Sequence, residues 1–403
     1  MRILHIDESF HTMYGYHTAP IAKEEAKKGH EVYVITVQAD KLYPVFKEFG
    51  DETPPDKILK YDRDFENNYR VHIIRVPIWG YISYRAVYSY KIYSEIKRIN
   101  PDVILCHNSD SLMAIRMLLK RDRYPVVYDS HMLSMASENR FSKYYLKVYR
   151  NLITPKIIRK KSIIIRTQDD PYIIKEENVP ISQAPFISFG TDTDLFYYDE
   201  ELKNKLRSEF NIGNNDFVVV YTGKLNKEKG AELLADITQF TYDPGFYENI
   251  VFLIVGNTKG EYGERINSML SMSPNRIIRF PAQKYMELAK FYQVGDLSVF
   301  PKQCSMSFYD AQACGLPVLS EDNSVNIGRC SHHNGFNFKA DSAEAFINEI
   351  QKCLHMPKTQ YKEYIENAVK FVSTNFSYKK ITEEYDHLLE EAISIYKGVT
   401  KND

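Results

Sequence analysis

The sequence predicts an α/β protein made of two doubly wound parallel-sheet domains that face each other across a cleft. Three observations predict it. Short, β-branched, wholly apolar runs recur along the chain, which is how strands covered on both faces of a parallel sheet read. Segments of helical periodicity separate them, giving the strand–helix alternation of βαβ units. The series also starts twice, from RILHI at 2–6 and from FVVVYTG at 217–223, in a chain of 403 residues. That length exceeds what one hydrophobic core usually serves.

The first strand series is RILHI at 2–6, EVYVIT at 31–36, VHIIRV at 71–76, DVILC at 102–106, PVVYD at 125–129 and SIIIR at 162–166. The segment PIAKEEAKKGH at 20–30 has a helical pattern, with Gly29 placed as its stop. A linker is expected near PISQAPFISFGTDTDLF, 180–196, which is rich in Pro, Ser and Gly. The second series is FVVVYTG, NIVFLIVG at 249–256, RIIRFPA at 276–282, LSVFP at 297–301 and LPVLSED at 316–322. AELLADITQF, YGERINSMLS and YMELAKFYQV fit the helices between them, and amphipathic helices fill about 360–398. In open α/β sheets ligands bind beyond the carboxyl ends of the strands, so the cleft is where a site is expected.

Composition narrows the class. With 44% hydrophobic and 26% charged residues the chain is an ordinary globular one. Its five cysteines show no C-x-x-C spacing, which suggests reduced thiols and a cytoplasmic setting. MRILHIDESF reads as a strand and not as a signal segment, and no apolar run reaches the roughly 18 residues that span a bilayer. The expectation is a soluble protein, at most peripheral at the inner face of a membrane. Net charge is −1, yet residues 65–166 hold 19 Lys and Arg against 7 Asp and Glu. That stretch is either a solvated helical surface or a basic face for an anionic partner such as phospholipid. No nucleic-acid-binding motif accompanies it.

Three stretches carry chemistry. The loop DESFHTMYGYHTAP, 7–20, places Gly15 shortly before a helix start, as a tight turn or as a surface for an anion. YTGKLNKEKG, 221–230, ends a buried strand in Gly223 and sets Lys224 and Lys229 in a loop closed by Gly230. Such cations suit the charge that develops on a diphosphate leaving group, although a solvated turn reads the same way. CSMSFYDAQACG, 304–315, puts Ser305, Met306 and Ser307 before a helix whose sole carboxylate is Asp310. The amides suit phosphate oxygens, and Asp310 suits a pair of vicinal hydroxyls or simply the helix dipole. Aromatic residues cluster at 79–93, including Trp79 and Tyr81; they stack on sugar rings, sit at membrane interfaces or pack in a core. Tyr84, Tyr88 and Ile92 recur there at helical spacing.

The collinear order of these pieces resembles the retaining, GT-B-fold glycosyltransferases of family 4 (glycosyl transferases group 1). FGTDTDLF at 189–196 is similar to that family's Asn-Gly-Val-Asp-x-x-x-Phe loop, and GKLNKEKG to its Gly-Arg-Leu…Lys-Gly. DAQACGLPVL is similar to its Glu-Ala-Met-Ala-x-Gly-x-Pro-Val, and HHNGFNF at 332–338 to a later Asn-Gly turn. The resemblance implies the GT-B fold, two Rossmann-like domains. Residues 1–190 would bind the acceptor, with a C-terminal helix at about 380–403 packing back on them, and 191–380 would bind the nucleotide sugar. It implies Gly15 and Gly223 against the donor, Lys224 and Lys229 on the diphosphate, and the amides of Ser305, Met306 and Ser307 on the distal phosphate. Asp310 would take the ribose, and Ala282 and Lys284 would lie at the base. His131, in VVYDSHML, matches a histidine beside the transferred sugar, or is a strand-end core residue; His107 is expected to be structural. Trp79 and Tyr81 fall where an acceptor would bind.

The implied activity is transfer of a hexosyl group from a UDP- or GDP-type sugar to a hydroxyl of a glycan or lipid-linked acceptor, in bacterial cell-surface polysaccharide or glycoconjugate synthesis. No cofactor and no metal are expected, and DTD at 192–194 is read as part of a structural loop. One departure stands out. The family's E-x₇-E signature would put glutamates at 302 and 310, where this chain has Lys302 and Asp310. A nucleotide-sugar-binding protein without catalysis and a GT-B-fold epimerase are therefore alternatives. A dinucleotide-dependent dehydrogenase is remote, because no G-x-G-x-x-G follows a strand.

Overall fold

A computed structural model describes residues 1–15, 17–48, 53–120, 123–134 and 142–400. Tyr16 of the first glycine loop, 121–122 and 135–141 of the basic stretch, and 401–403 of the expected C-terminal helix lie outside the described residues. The chain forms two compact units, Met1–Phe189 with Tyr378–Asp403, and Gly190–Ser377.

Unit 1 holds a six-stranded parallel sheet in the order β3-β2-β1-β6-β7-β8. Its strands are β1 (Arg2–Ile6), β2 (Glu31–Val37), β3 (Val71–Val76), β6 (Val103–Cys106), β7 (Val126–Ser130) and β8 (Ile163–Arg166). Between β3 and β6 an antiparallel hairpin, β4 (Ile78–Ile82) and β5 (Arg85–Tyr88), stands apart from the sheet. Alternate residues of a strand face opposite ways. Leu4, Ile6, Ile104 and Tyr128 accordingly join a core with Tyr149, Ile153 and Ile157. Ile3, Val103, Leu105 and Val127 join another with Tyr378, Ile381, Tyr385 and Leu389 of the helix Tyr378–Thr400. That last helix is held to the helix Thr18–Lys27 region by an ion pair of Lys28 with Asp386 at 2.8 Å. Gly29, with φ of 88°, ends the earlier helix as the sequence predicts.

Unit 2 repeats the topology, with the sheet order β11-β10-β9-β12-β13-β14. The strands are β9 (Phe217–Thr222), β10 (Ile250–Val255), β11 (Arg276–Phe280), β12 (Leu297–Phe300), β13 (Val318–Glu321) and β14 (Gly335–Phe338). β9 and β10 are buried at every position, as their uninterrupted apolar sequence requires. In both units the order reverses beside the first strand, between β1 and β6 and between β9 and β12. Crossovers diverge there to opposite faces and leave room at the strands' carboxyl ends.

The structure corrects one pattern reading and adds elements. Tyr84, Tyr88 and Ile92 do not share a helix: Tyr84 is in the hairpin turn, Tyr88 is on β5 and Ile92 is in the helix Lys91–Ile99. Tyr88 and Ile92 are core residues, while Tyr84 is exposed. The hairpin and β14 were not among the expected strands. None of the five cysteines, all of them described, forms a disulfide.

Candidate functional site

In unit 2 the predicted donor residues gather at the carboxyl ends of β9 and β12. Gly223 donates its amide to the Val255 carbonyl at 3.0 Å as β9 ends. The chain then turns through Lys224 and Lys229 to Gly230, whose φ of 71° is in the left-handed region. A Cβ there would lie 3.0 Å from the Cβ atoms of Pro301 and Lys302, so glycine lets the loop seat against the residues after β12. Across that contact Lys229 Nζ donates to the Cys304 carbonyl at 3.4 Å. Burial lowers the Lys229 pKa, and the neighbouring Lys224 charge pushes the same way. An anion bound here would reverse both effects by compensating the charge.

The 301–307 segment is held from beneath. Gln303 donates its amide to Glu321 at 2.7 Å, and Arg329 donates to the Ser305 carbonyl at 3.0 Å. Ser307, first residue of the helix Ser307–Ala313, donates its amide to Ser305 Oγ at 3.2 Å. Asp310 is 3% exposed, and its Oδ1 accepts from Thr191 at 2.5 Å and Tyr285 at 3.3 Å. Burial pushes its pKa up to about 7, against both hydrogen bonds. A ribose hydroxyl would therefore compete with Thr191 and Tyr285 or turn to the second oxygen. The Ala282 amide donates to Asn257 at 2.9 Å, and Lys284 precedes the short 3₁₀ turn Tyr285–Glu287. Lys302, where the family pattern has glutamate, pairs with Asp341 at 3.0 Å.

Unit 1 carries a second cluster at the carboxyl ends of β1, β6 and β7. His5, His107, Asp129 and His131 are odd-numbered, as are Ile3, Leu105 and Val127, so all point to the side covered by the C-terminal helix. His107 donates from Nδ1 to Asp129 Oδ2 at 2.5 Å, and the Asn108 amide donates to Oδ1 at 2.8 Å. Burial alone would raise Asp129, but the His107 and His131 rings outweigh it and hold the carboxyl below its ordinary range. Burial pulls His107 down, and Asp129 more than restores it, so its pKa is raised. Thr167 Oγ1 donates to the Ser130 carbonyl at 3.0 Å and so accepts from His131 Nδ1–H at 2.7 Å. That places the His131 proton on Nδ1, with Nε2 3.6 Å from Asp129 Oδ1. The His131 side chain is 29% exposed, and burial lowers its pKa. Among the described residues His107, Asp129 and His131 have the only spacing a metal ion could use, with donor atoms within 4.8 Å, but a proton already joins the first pair.

Near this cluster Glu8, on the residue after β1's loop start, accepts the Ala86 amide at 2.7 Å and faces Arg85 at 3.6 Å. Arg85 also pairs with Asp110. Burial raises Glu8 to about 7, against the Ala86 amide and the Arg85 charge. Gly15 turns with φ of 58° in the loop after β1. Trp79 is 60% exposed on β4, whereas Tyr81 packs on the core and donates to the Lys41 carbonyl at 2.8 Å. Sequence reasoning passed over Asp129, Glu8, Arg85, Glu321 and Arg329. Only Asp129 carried a signal, two residues before His131 on a strand and hence on the same face.

Two parallel six-stranded sheets of the same strand order, each with its polar cluster at the carboxyl edge, are the architecture of the GT-B fold. Two family profiles match the sequence, "Glycosyl transferases group 1" over residues 203–371 and "Glycosyltransferase Family 4" over 15–161. The chain belongs to the group 1 glycosyltransferases. A probable sucrose-phosphate synthase of Thermosipho melanesiensis is 22% identical, covering 92% of this chain and 89% of its own. A lipopolysaccharide 1,2-N-acetylglucosaminetransferase of Salmonella typhimurium is 21% identical, covering 77% and 83%. The crystal structure of Anabaena HepE in complex with UDP and glucose superposes with a TM-score of 0.70, at 18% identity, over 97% of this chain and 100% of that one.

Proposed function

We propose that the protein transfers a hexosyl group from a UDP- or GDP-type sugar to a hydroxyl of a glycan or lipid-linked acceptor, with retention of anomeric configuration, in cell-surface polysaccharide or glycoconjugate synthesis. The observation that carries this reading is Lys229, half-buried between two loops at the carboxyl ends of β9 and β12, with Lys224 beside it. Fixed cations in a partly desolvated loop favour a charge that grows during reaction. The acceptor oxygen bonds to the anomeric carbon as the bond to the diphosphate breaks. The electron pair leaves with the diphosphate, which Lys224 and Lys229 stabilise, and a phosphate oxygen takes the acceptor's proton. Lysines supply the positive charge that a metal ion supplies elsewhere, so the reading requires no metal. The named activities of the relatives and the UDP in the HepE complex support a nucleotide-sugar donor.

Lys229→Ala is expected to lower kcat/KM by a factor of about 100 or more, the loss of one fixed transition-state contact, with an unchanged circular-dichroism spectrum. An unchanged rate removes this lysine from the mechanism. The pairing of Lys302 with Asp341, where the family has glutamate, favours a second reading: a nucleotide-sugar-binding protein without turnover. Calorimetry with UDP-, GDP- and CMP-sugars beside a product assay separates them, since binding without product across acceptors supports the second.

The acceptor reading extends to a membrane surface. Residues 142–160 form one helical stretch in which Tyr144, Val148 and Leu152, four residues apart, are 73%, 54% and 58% exposed. Lys143, Lys147, Arg150, Lys156, Arg159, Lys160 and Lys161 flank them, and 143–161 has no acidic residue. An apolar stripe within basic residues suits an anionic bilayer surface; no described helix is long and apolar enough to cross one. Co-sedimentation is expected with phosphatidylglycerol vesicles and not with phosphatidylcholine, and Leu152→Glu should abolish it. Equal pelleting with both vesicles overturns the assignment.

A further inference from the structure

Behind Asp129 the polar chain continues into the interior of unit 1. His107 Nε2 lies 3.1 Å from His5 Nδ1, and the rings are nearly parallel, 11° apart. His5 Nε2 lies 2.6 Å from Glu25 Oε2, and both side chains are fully buried. Four residues from β1, the helix Thr18–Lys27, the end of β6 and β7 thus form one unbroken line: Glu25, His5, His107, Asp129. His131 stands at its outer end.

The number of protons follows from the acceptors. An ionised Glu25 only accepts, so His5 Nε2 carries a hydrogen. One hydrogen lies between the two rings and one between His107 and Asp129, so three hydrogens serve two rings and one ring is doubly protonated. The upward pKa shift of His107 beside Asp129, against its burial, assigns the extra hydrogen to His107, which then donates to His5 Nδ1 from Nε2. His107 also donates to Asp129 from Nδ1, and a ring with hydrogens on both nitrogens is an imidazolium. We propose that Glu25 and His5 are positioning residues that lock His107 as a cation against Asp129, and so fix the carboxylate that faces His131. Without that cation the field of Asp129 on the His131 ring would be stronger.

Other charges around the line are few. Asp7 of the loop after β1 accepts from Ser9 at 2.7 Å and Thr18 at 2.6 Å, and its charge acts on both His107 and His131. Asp110, after β6, acts on His131. His17 packs edge-on against His107 and His131, with centroids 6.3 and 5.6 Å away, and shares a hydrogen bond with Tyr385 at 2.7 Å. Burial keeps the His17 pKa well below the ordinary value, so this ring adds no cation.

The ring states are a property of the protein alone; their consequence for catalysis rests on the glycosyl-transfer reading. The test is nitrogen NMR of full-length protein labelled with ¹⁵N-histidine at pH about 8, above the ordinary histidine pKa of about 6.5. One ring is expected to hold hydrogens on both nitrogens, and Glu25→Gln should return it to a singly protonated ring. Gln keeps a hydrogen bond to His5 through either end of its amide but removes the buried negative charge that the extra ring hydrogen balances. In the same variant the acid-side midpoint of the kcat profile should rise by about half a pH unit or more, because a pKa reports the field at the ring, with donor KM unchanged. Singly protonated rings throughout the wild type, or ring signals that Glu25→Gln leaves alone, overturn the proposal. Expected ring states with an unmoved kcat profile overturn the positioning role while transfer itself stands. Absence of transfer with every donor sinks the glycosyl-transfer reading, and the ring states still decide the charge of His107.

Discussion

Glu177 is 1% exposed, its Oε2 has no hydrogen-bond partner, and burial pushes its pKa from 4.5 up to about 8. A carboxyl raised on folding leaves the native state holding a proton that the unfolded chain has released. Stability is therefore greatest below the unfolded value and declines as pH climbs from about 4.5 to about 8. Glu177→Gln removes the share of that decline due to this residue: urea unfolding at pH 9 should show the variant more stable by about 2–4 kcal/mol, and at pH 4 the difference should vanish. A wild type whose stability is flat across this range contradicts the burial. The same residue scale sets what a sequence discloses. Lys224, Lys229 and Asp310 sit in short local patterns, so neighbouring residues are enough to single them out. His5, His107 and Glu25 are 20 to 102 positions apart. They meet only because β1 pairs with β6, with Leu4 opposite Ile104, and because the helix Thr18–Lys27 brings Glu25 to His5.

At the level of elements, the strands were legible wherever a run of β-branched residues had to be buried on both faces. The expected strands fall within about two residues of those formed. The β4–β5 hairpin was not legible. Its turn uses Ser83 and Tyr84 at φ of 49° and 65°, left-handed positions that Asn-Gly usually marks. β14 escaped because a four-residue strand beginning at Gly335 reads as a turn. The C-terminal helix was legible as amphipathic, and its apolar side has a specific destination. Leu389 is fully buried in a cluster with Ile3, Leu105 and Val127. Leu389→Ala should cost about 2–5 kcal/mol, the range for a buried leucine truncated in a close-packed core, read as a lower urea midpoint. A cost under 1 kcal/mol would mean that this helix does not close the core.

Considered as a whole, the molecule is two similar sheets with unlike assignments of charge. Unit 1 keeps its histidines and carboxylates in mutual hydrogen bonds, while unit 2 offers lysines on a loop after β9. Unit 2 is one continuous stretch, Gly190–Ser377, whereas unit 1 is assembled from both sides of it. During synthesis on the ribosome the second unit emerges entire while the first still lacks Tyr378, Ile381, Tyr385 and Leu389. Part of one apolar side of the first sheet, around Ile3, Leu105 and Val127, accordingly stays uncovered until the final helix is translated, an interval in which exposed apolar surface favours association with other chains.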